Sequence, residues 1–348
     1  MSAAQTLEQP RAEGEVAPTE AITIRPFEAA DYSRAVEIEV ANFPEYPQTA
    51  EEWQTYDKNR DPKCRWQRFV ACAPDGAIVA VGSYEQNPWM YHPRKFDLGI
   101  SVDPAWQGRG IGSALFAHLM RELEAFDPIS VRGHAREDYA RSVRFLMNHG
   151  FVETMREWES RIQPATFDPA PFAGAEAKVR EQGIVVRTLR ELESDPDRDR
   201  KLWELDTTVS LDMPSTDTPT RPEFDNWRKN TFENPNLVPD AYFVAVDTTN
   251  GDRYVGLSQL WKQQASADFD TGATGVLREY RRRGIALALK LRALAFAKEA
   301  GVPVIKTWNA QSNRAMLSIN EALGFVKQPA WILFARKIKD EDTEEVAE

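Results

Sequence analysis

Apolar residues follow two different periodicities along this chain, and the whole series of elements occurs twice. Runs in which every second residue is apolar, such as ITIRPF at 22–27 and IVVRTL at 184–189, predict strands. Runs with an apolar residue at every third or fourth position predict helices with one buried face. The helix after the glycine-rich turn of each copy has the predicted stripe Ile111, Leu115 and Leu119, or Leu287, Leu291 and Leu294.

Five landmark residues recur at a single offset of 174 positions, which identifies an internal repeat. Each copy also has a turn dipeptide between apolar, β-branched stretches, Asp75-Gly76 in one and Asn250-Gly251 in the other. This arrangement predicts a β-hairpin in each copy. The repeated pairs are Trp53 and Trp227, Phe69 and Phe243, Gly82 and Gly256, Gly110 and Gly284, and Phe151 and Phe325.

The order of elements predicts an α+β fold made of two tandem domains, each a mixed, mostly antiparallel sheet flanked by helices. Between the copies, PATFDPAPFAGA at 164–175 is rich in proline and alanine without periodicity, which indicates a linker. The predicted divisions are a solvated, disordered tail at 1–20, a first half at 21–163, a linker at 164–181, a second half at 182–339 and an acidic tail at 340–348.

Composition and charge restrict the class of protein without indicating a substrate. The net charge of −11 lies mostly in the tails, with six acidic residues in 340–348 and a net of −3 in 1–20. No apolar run approaches the roughly 18 residues of a membrane span, and the start lacks a signal-peptide pattern. A cytoplasmic protein without a membrane partner is therefore predicted. The four histidines are scattered without ligand spacing, so no metal site is predicted.

A glycine-rich turn precedes the main helix of each half, AWQGRGIGSAL at 105–115 and EYRRRGIALAL at 279–289. A helix start exposes backbone N–H groups and the positive end of the helix dipole, and glycine lets a phosphate approach the backbone. The turns therefore predict anion sites. The sequence has no Gly-Lys pair of a Walker loop, and Ser113 stands where a Rossmann fingerprint needs glycine or alanine, which disfavours a dinucleotide ligand.

The pattern that fits both turns is Gln/Arg-x-x-Gly-x-Gly/Ala, with a valine eight residues before the central glycine and a Gly-Phe forty residues after it. This combination resembles the GNAT superfamily of acetyl-CoA dependent N-acetyltransferases, and its duplication resembles a tandem GNAT arrangement. The resemblance covers nearly the whole chain apart from the tails and linker. It implies acetyl-CoA as co-substrate and a small-molecule primary amine as acceptor.

The resemblance also assigns coenzyme-binding roles to the two turns and to the strands before them. The backbone amides of each turn would hold the coenzyme pyrophosphate, and the preceding strand would pair with the pantetheine arm. In the first half the implied residues are Val102, Gln107, Gly108, Arg109, Gly110, Ile111, Gly112 and Ser113. In the second half they are Val276, Arg281, Arg282, Arg283, Gly284, Ile285, Ala286 and Asn313.

Direct attack by an amine in a ternary complex requires that the amine lose a proton. At pH 7 only about one part in a thousand of an alkyl ammonium is deprotonated, so a base accelerates the reaction. Some family members place a glutamate six residues before the strand valine. The second half has Asp270 there, whereas the first half has Phe96, and Asp97 is one residue out of register. A strand-surface aspartate without a catalytic role is the alternative for Asp270.

Two further family features are only partly present. The second half keeps the asparagine as Asn313 but has Asn320 where a tyrosine would protonate the departing thiolate, and the first half has Tyr139 and Leu146. We therefore expect the second half to be catalytic, with Asp270 and Asn320 as its catalytic residues. A thiol of pKa near 8.5 still leaves tolerably as thiolate. The missing tyrosines leave open a non-catalytic acyl-CoA binding or regulatory protein, and aminoacyl or long-chain acyl transfer remains a further alternative.

The acceptor is the least determined feature. The segments at 42–53 and 210–227 lie where family members cover the acceptor site, and their acids would suit a cationic amine, although helix-start carboxylates are the simpler explanation. These acids are Glu45, Asp212, Asp217, Glu223 and Asp225.

Aromatic and basic residues near the expected site have simple explanations as well. Trp261 and Trp308 are expected in core packing rather than in an acceptor pocket. The arginine cluster of the second turn, Arg278 and Arg281 to Arg283, is expected to meet coenzyme phosphates or water, so no nucleic-acid partner is predicted.

Overall fold

Thirteen strands join into one continuous sheet in the computed structural model, which describes residues 21–341. The elements of the first half are β1 (Thr23–Pro26), α1 (Tyr32–Asn42), α2 (Ala50–Lys58), β2 (Trp66–Cys72), β3 (Ile78–Glu85), β4 (Lys95–Val102), α3 (Ile111–Leu123), β5 (Ser130–Arg136), α4 (Ala140–Asn148) and β6 (Val152–Ile162). A short helix, α5 (Ala175–Arg180), lies within the predicted linker. The elements of the second half are β7 (Ile184–Thr188), α6 (Arg198–Ser210), α7 (Phe224–Phe232), β8 (Leu237–Asp247), β9 (Arg253–Lys262), β10 (Phe269–Val276), α8 (Ile285–Glu299), β11 (Ile305–Ala310), α9 (Arg314–Ala322), β12 (Val326–Lys327) and β13 (Trp331–Lys337).

The repeat seen in the sequence is a repeat of structure. The pairs β2–β3 and β8–β9 are antiparallel hairpins closed at Gly76 and Gly251, whose φ angles are 87° and 62°. In each half one parallel pair, β4–β5 or β10–β11, interrupts an otherwise antiparallel order. The predicted α+β class with a mixed, mostly antiparallel sheet is therefore confirmed.

The two halves exchange their closing strands, which the sequence did not indicate. The strand order is β1-β2-β3-β4-β5-β13-β6-β11-β10-β9-β8-β7, with β12 pairing β6 off this path. The last strand of the chain, β13, thus lies between β5 and β6 of the first half, and β6 continues past it to pair with β11 of the second half. Each half therefore contributes a strand to the sheet of the other. The domain boundaries at 163 and 182 stay predictions from the sequence.

Close packing of the main helix on the sheet accounts for one repeated glycine. A Cβ at Gly82 on β3 would lie 3.3 Å from Leu115 on α3. The predicted stripe Ile111, Leu115 and Leu119 is buried. In the second half the predicted stripe was wrong in part, since Leu287 and Leu291 are only partly buried. The repeat offset gives the stripe that the structure buries, Ile285, Leu289 and Ala293.

The chain termini and the helices add two observations. Residues 1–20 and 342–348, which include most of both predicted tails, lie outside the described residues. Glu341, the last described residue, pairs with Lys95 at 3.3 Å. Across residues 21–341, no helix has both the length and the apolar character needed to cross a membrane.

A buried carboxyl group in the second half makes stability depend on pH. Asp206 on α6 is fully enclosed and accepts a hydrogen bond from Trp227 Nε1 at 2.7 Å. Burial raises the pKa of Asp206 to about 6, whereas an unfolded aspartate has a pKa near 3.9. The folded state therefore favours the protonated form, and this contribution to stability is lost as the pH rises from about 4 through 6.

Asp206→Asn should remove this dependence while keeping an oxygen for the Trp227 bond. We expect the free energy of unfolding of the wild type to fall relative to that of the variant by up to about 3 kcal/mol between pH 4 and 7.5, since one pKa unit corresponds to about 1.4 kcal/mol. Denaturant titrations of both proteins across this range measure it. Unfolding free energies that stay parallel would contradict the role of Asp206.

Candidate functional site

The first-half turn leaves a row of backbone amides uncommitted at a helix start. Gly108 and Gly110 both have φ of 80°, the left-handed region that glycine adopts without strain. Helix α3 begins at Ile111, and its first internal bond runs from Ala114 N to Gly110 O at 3.0 Å. The helix therefore does not use the amides of residues 111–113, which lie at the positive end of its dipole.

This turn lines a cavity of about 1190 Å³. The strands β4 and β5 pair only from Lys95 to Asp97 and then diverge, so the β4 edge that faces β5 is unpaired over residues 98–102 and forms part of the cavity wall. The cavity therefore offers an extended strand edge that leads to a helix start. The residues of the first-half prediction that line it are Val102, Gln107, Gly108, Gly110, Ile111, Gly112 and Ser113.

Two predicted side chains of this turn have structural contacts. Gln107 Nε2 donates to Val102 O at 3.1 Å, and Asn42 Nδ2 donates to the same oxygen at 3.0 Å. The Gln107 side chain therefore holds the end of β4. Arg109 lies over the ring of Trp106 at 4.6 Å and donates to Ala105 O, and it is not part of the cavity wall.

Two cationic side chains beside the turn were not predicted from the sequence. Arg141 and Arg144 are exposed residues of α4 that line the cavity, and no carboxylate within residues 21–341 pairs with either. A Cβ at Gly108 would lie 3.6 Å from Arg141 Nη1, so this guanidinium is next to the free amides. Together they form a positive surface suited to phosphate groups. The repeat could have located this positive surface. Tyr139 corresponds to Asn313, the asparagine that the family has before its helix, and α4 begins at the next residue.

A carboxylate on α1 faces the diverging strands and was also missed. Glu39 lines the cavity and accepts a hydrogen bond from Ser101 Oγ on β4. Burial raises the pKa of Glu39, and the hydrogen bond from Ser101 opposes that rise only partly. A carboxyl with a raised pKa that still opens into a cavity is suited to exchanging protons with a bound substrate.

The second-half turn has the same backbone but different surroundings. Gly284 has φ of 82° and Arg281 Nε donates to Val276 O at 3.0 Å, which repeats the contact of Gln107 with Val102. Asp212 pairs with both Arg278 and Arg281.

The linker helix packs against this second turn. Val179 of α5 would be 3.6 Å from a Cβ at Gly284, and Gln182 donates to Arg283 O at 3.2 Å. The predicted residues of this turn, Val276, Arg281, Arg282, Arg283, Gly284, Ile285 and Ala286, all lie outside the large cavity.

The other second-half candidates lie in different places. Asn313 begins α9 and accepts a bond from Met316 N, which is a helix-capping role. Asn320 is buried and donates to Asn309 Oδ1 at 2.7 Å, away from the large cavity. Asp270 on β10, in contrast, lines the cavity of the first half. The structure thus separates Asp270 from Asn320 and puts it in the cavity that the glycine turn of the other half also lines.

Asp270 sits in a polar part of the cavity wall. Its Oδ2 accepts from Gln263 Nε2 at 2.7 Å, and burial raises its pKa. Trp261 and Trp308, which we expected in the core, are partly exposed and line the same cavity. The second half therefore supplies part of the wall of the cavity that the first-half turn also lines.

The five acids that would suit a cationic acceptor have other positions and contacts. None of the five lines the cavity. Glu45 pairs with Arg136 and Arg161, and these contacts lower its pKa. Asp212 is held by arginines, and Asp217 pairs with Lys95 at 3.0 Å. Glu223 precedes α7 and Asp225 lies in its first turn, as helix-start carboxylates do.

Comparisons with known proteins agree with this architecture. The acetyltransferase (GNAT) family model matches residues 32–151 and again residues 200–325. Mycothiol acetyltransferases are 23% identical, over 66% of this chain and 76% of the Nocardioides sp. protein, and over 68% of this chain and 73% of the Thermobifida fusca protein. A tandem GNAT protein from the clavulanic acid biosynthesis pathway has a similar fold, with a TM-score of 0.70 at 17% identity over 92% of this chain and 100% of that one.

The duplicated match covers more than half of the chain, and the chain therefore belongs to the acetyltransferase (GNAT) family. It is an acyltransferase with two GNAT regions in tandem, as the turns and their spacing predicted. The family uses acetyl-CoA as acetyl donor. The residues that would hold the donor and the half that performs the transfer stay predictions.

Proposed function

We propose that this protein transfers an acetyl group from acetyl-CoA to a primary amine by direct attack in a ternary complex, and that the coenzyme binds to the first half. The observation that supports this assignment is the 1190 Å³ cavity, which joins the free amides of the first turn to the open edge of β4. The assignment to the first half differs from our expectation that the second half is catalytic. The reason is that the second turn lies outside this cavity and packs against α5.

The residues present suit a pyrophosphate and its attached arm. The amides of Ile111, Gly112 and Ser113 would donate to phosphate oxygens, and Arg141 and Arg144 would neutralise their charge. The unpaired edge of β4 would form strand-like hydrogen bonds with the amides of the pantetheine arm. This places the thioester where β4 and β5 separate, on the side to which Glu39 turns.

Glu39 is the base that this arrangement favours. Its carboxylate would take a proton from the acceptor ammonium, directly or through a water molecule, so that the free amine attacks the thioester carbonyl. The C–N bond forms, the C–S bond breaks, and the coenzyme leaves as a thiolate. The attacking nitrogen then loses its second proton to give the neutral amide, and this proton balances the charge of the thiolate. No tyrosine is needed at Leu146 for that departure, since a thiol of pKa near 8.5 is a tolerable leaving group.

Charge reversal on two matched helices tests which half binds the coenzyme. Arg141→Glu with Arg144→Glu should raise the Kd for acetyl-CoA by at least about tenfold, because each change replaces an attraction to phosphate with a repulsion. The repeat supplies the control, Ala315→Glu with Ser318→Glu, which puts the same charges at the corresponding exposed positions of α9. Calorimetric titration with acetyl-CoA measures both.

The stoichiometry and the turnover complete the test. We expect one coenzyme per chain in the wild type and in the Ala315/Ser318 variant. Weaker binding of acetyl-CoA only in the Ala315/Ser318 variant would assign the coenzyme to the second half. Tight coenzyme binding without acetylation of any amine in a broad panel would instead favour the non-catalytic acyl-CoA binding alternative, and a preference for another acyl donor would favour the acyl-transfer alternative.

A further inference from the structure

Three buried oxygens on one wall of the active-site cavity lack a hydrogen-bond donor among residues 21–341. They are Asp270 Oδ1, Gln263 Oε1 and Asn236 Oδ1, and all three residues line the cavity. Neighbouring carboxylates fix the orientation of both amides. Gln263 Nε2 donates to Asp270 Oδ2 at 2.7 Å and Asn236 Nδ2 donates to Glu52 Oε1 at 3.1 Å. Such unpaired acceptors are costly in a folded protein, so this wall has more hydrogen-bond acceptors than the described residues supply with donors.

The same wall carries negative charge without a neutralising partner. Asp270 and Glu52 both line the cavity, and within the described residues neither has a cationic nitrogen within 4.0 Å. The donors that reach Glu52 are neutral, namely Asn236 Nδ2, Gln264 N and Thr49 N. Lys306, the cross-strand neighbour of Asp270, is committed to Asp268 and to Glu45 O. A ligand at this wall would therefore be cationic.

The aromatic residues beside Asp270 fit the same ligand. Asp270 lies directly opposite Trp261 in the β9–β10 pair and beside Lys306 in the β10–β11 pair. Trp308 is two residues after Lys306, so Trp261, Asp270 and Trp308 share one face of the sheet. Both tryptophans line the cavity. Indole faces attract cations. Lys262 also lines the cavity, but it is exposed to solvent.

We propose that the acceptor carries a second, protonated nitrogen besides the amine that is acetylated, and that the carboxylate of Asp270 binds this nitrogen on the face that Asp270 shares with Trp261 and Trp308. This inference rests on the proposed function, because it has the attacked amine at the first-half thioester. Asp270 thus determines specificity for diamines, and the second half selects the substrate that the first half acetylates.

Matched acceptors test this inference. The probes are α,ω-diaminoalkanes of three to eight carbons and the amino alcohols of equal length, in which a hydroxyl replaces the second amine. We expect the best diamine to exceed its amino alcohol at least tenfold in kcat/KM. Asp270→Asn should bring that ratio near one by raising KM for the diamine. Asp240→Asn, which removes an exposed carboxylate outside the cavity that pairs with Arg190, is the control.

Direct binding separates this inference from the proposed function. Calorimetry of the diamines with the protein alone reports on the subsite even if acetyl-CoA does not bind. Diamine binding that Asp270→Asn weakens at least tenfold supports the inference. Equal affinity of the wild type for diamines and amino alcohols overturns it. An equal loss of kcat for both acceptors in Asp270→Asn also overturns it, because that result would make Asp270 the base. Absent coenzyme binding contradicts the proposed function alone.

Discussion

Gly110→Trp is expected to abolish acetyl transfer, and the matched Gly284→Trp is expected to keep at least half of the wild-type rate. An indole at the start of α3 would occupy the space between the free amides and an approaching phosphate. At the start of α8 the same indole lies outside the cavity. Steady-state release of coenzyme thiol with an amine acceptor measures both rates.

The two positions are well matched as controls for backbone strain. Gly110 has φ of 80° and Gly284 has φ of 82°, so the backbone strain of a larger residue is similar at the two sites, roughly 1–3 kcal/mol. Circular dichroism and thermal unfolding must show both variants folded. An active Gly110→Trp beside an inactive Gly284→Trp would return catalysis to the second half, as we expected from sequence.

Glu39→Gln should lower kcat/KM about a hundredfold near neutral pH, since a positioned base contributes at least that factor. The glutamine can still accept the bond from Ser101, so the loss reports on proton transfer. In the wild type the base must be ionised, and burial raises its pKa above the ordinary value for glutamate. Activity should therefore fall as the pH drops through this raised pKa. In the variant that acidic limb should disappear, and the residual rate should rise with pH as the acceptor amine deprotonates.

The control for this substitution lies on the same helix. Glu37→Gln removes an exposed carboxylate that pairs with Arg34, two residues from Glu39 but turned to solvent. Its pH–rate profile should match that of the wild type. A Glu39→Gln enzyme with an unchanged acidic limb would show that another group carries the proton.

Local signals in the sequence were sufficient for much of the fold. The hairpins and helix starts depend on glycines such as Gly76 and Gly110, whose positive φ angles few other residues tolerate, so the sequence shows them directly. The exchange of β6 and β13 has no such signal. Both read as ordinary amphipathic closing strands, and only the packing of the whole chain decides which half each one joins.

The site was harder to predict for the same reason. Asp270 was identified from its spacing to Val276, but that spacing could not reveal that its side chain would line the cavity of the other half. Glu39 and Arg141 lie on helices outside the glycine turns and outside the family positions that the resemblance assigned, so neither stood out. Function here depends on contacts between distant parts of the sequence, and single-sequence patterns describe only near ones.

The position of β13 also bears on how the protein is made. A ribosome releases the first half long before residues 331–337 are synthesised, and until then the facing edges of β5 and β6 lack the strand that lies between them. Unpaired edges are sites of aggregation, so the nascent chain needs protection until β13 has been synthesised. A chain truncated before β13 should fail to assemble the first half as well as the second. The sheet of the first half is thus completed by a strand that is made only after most of the second half.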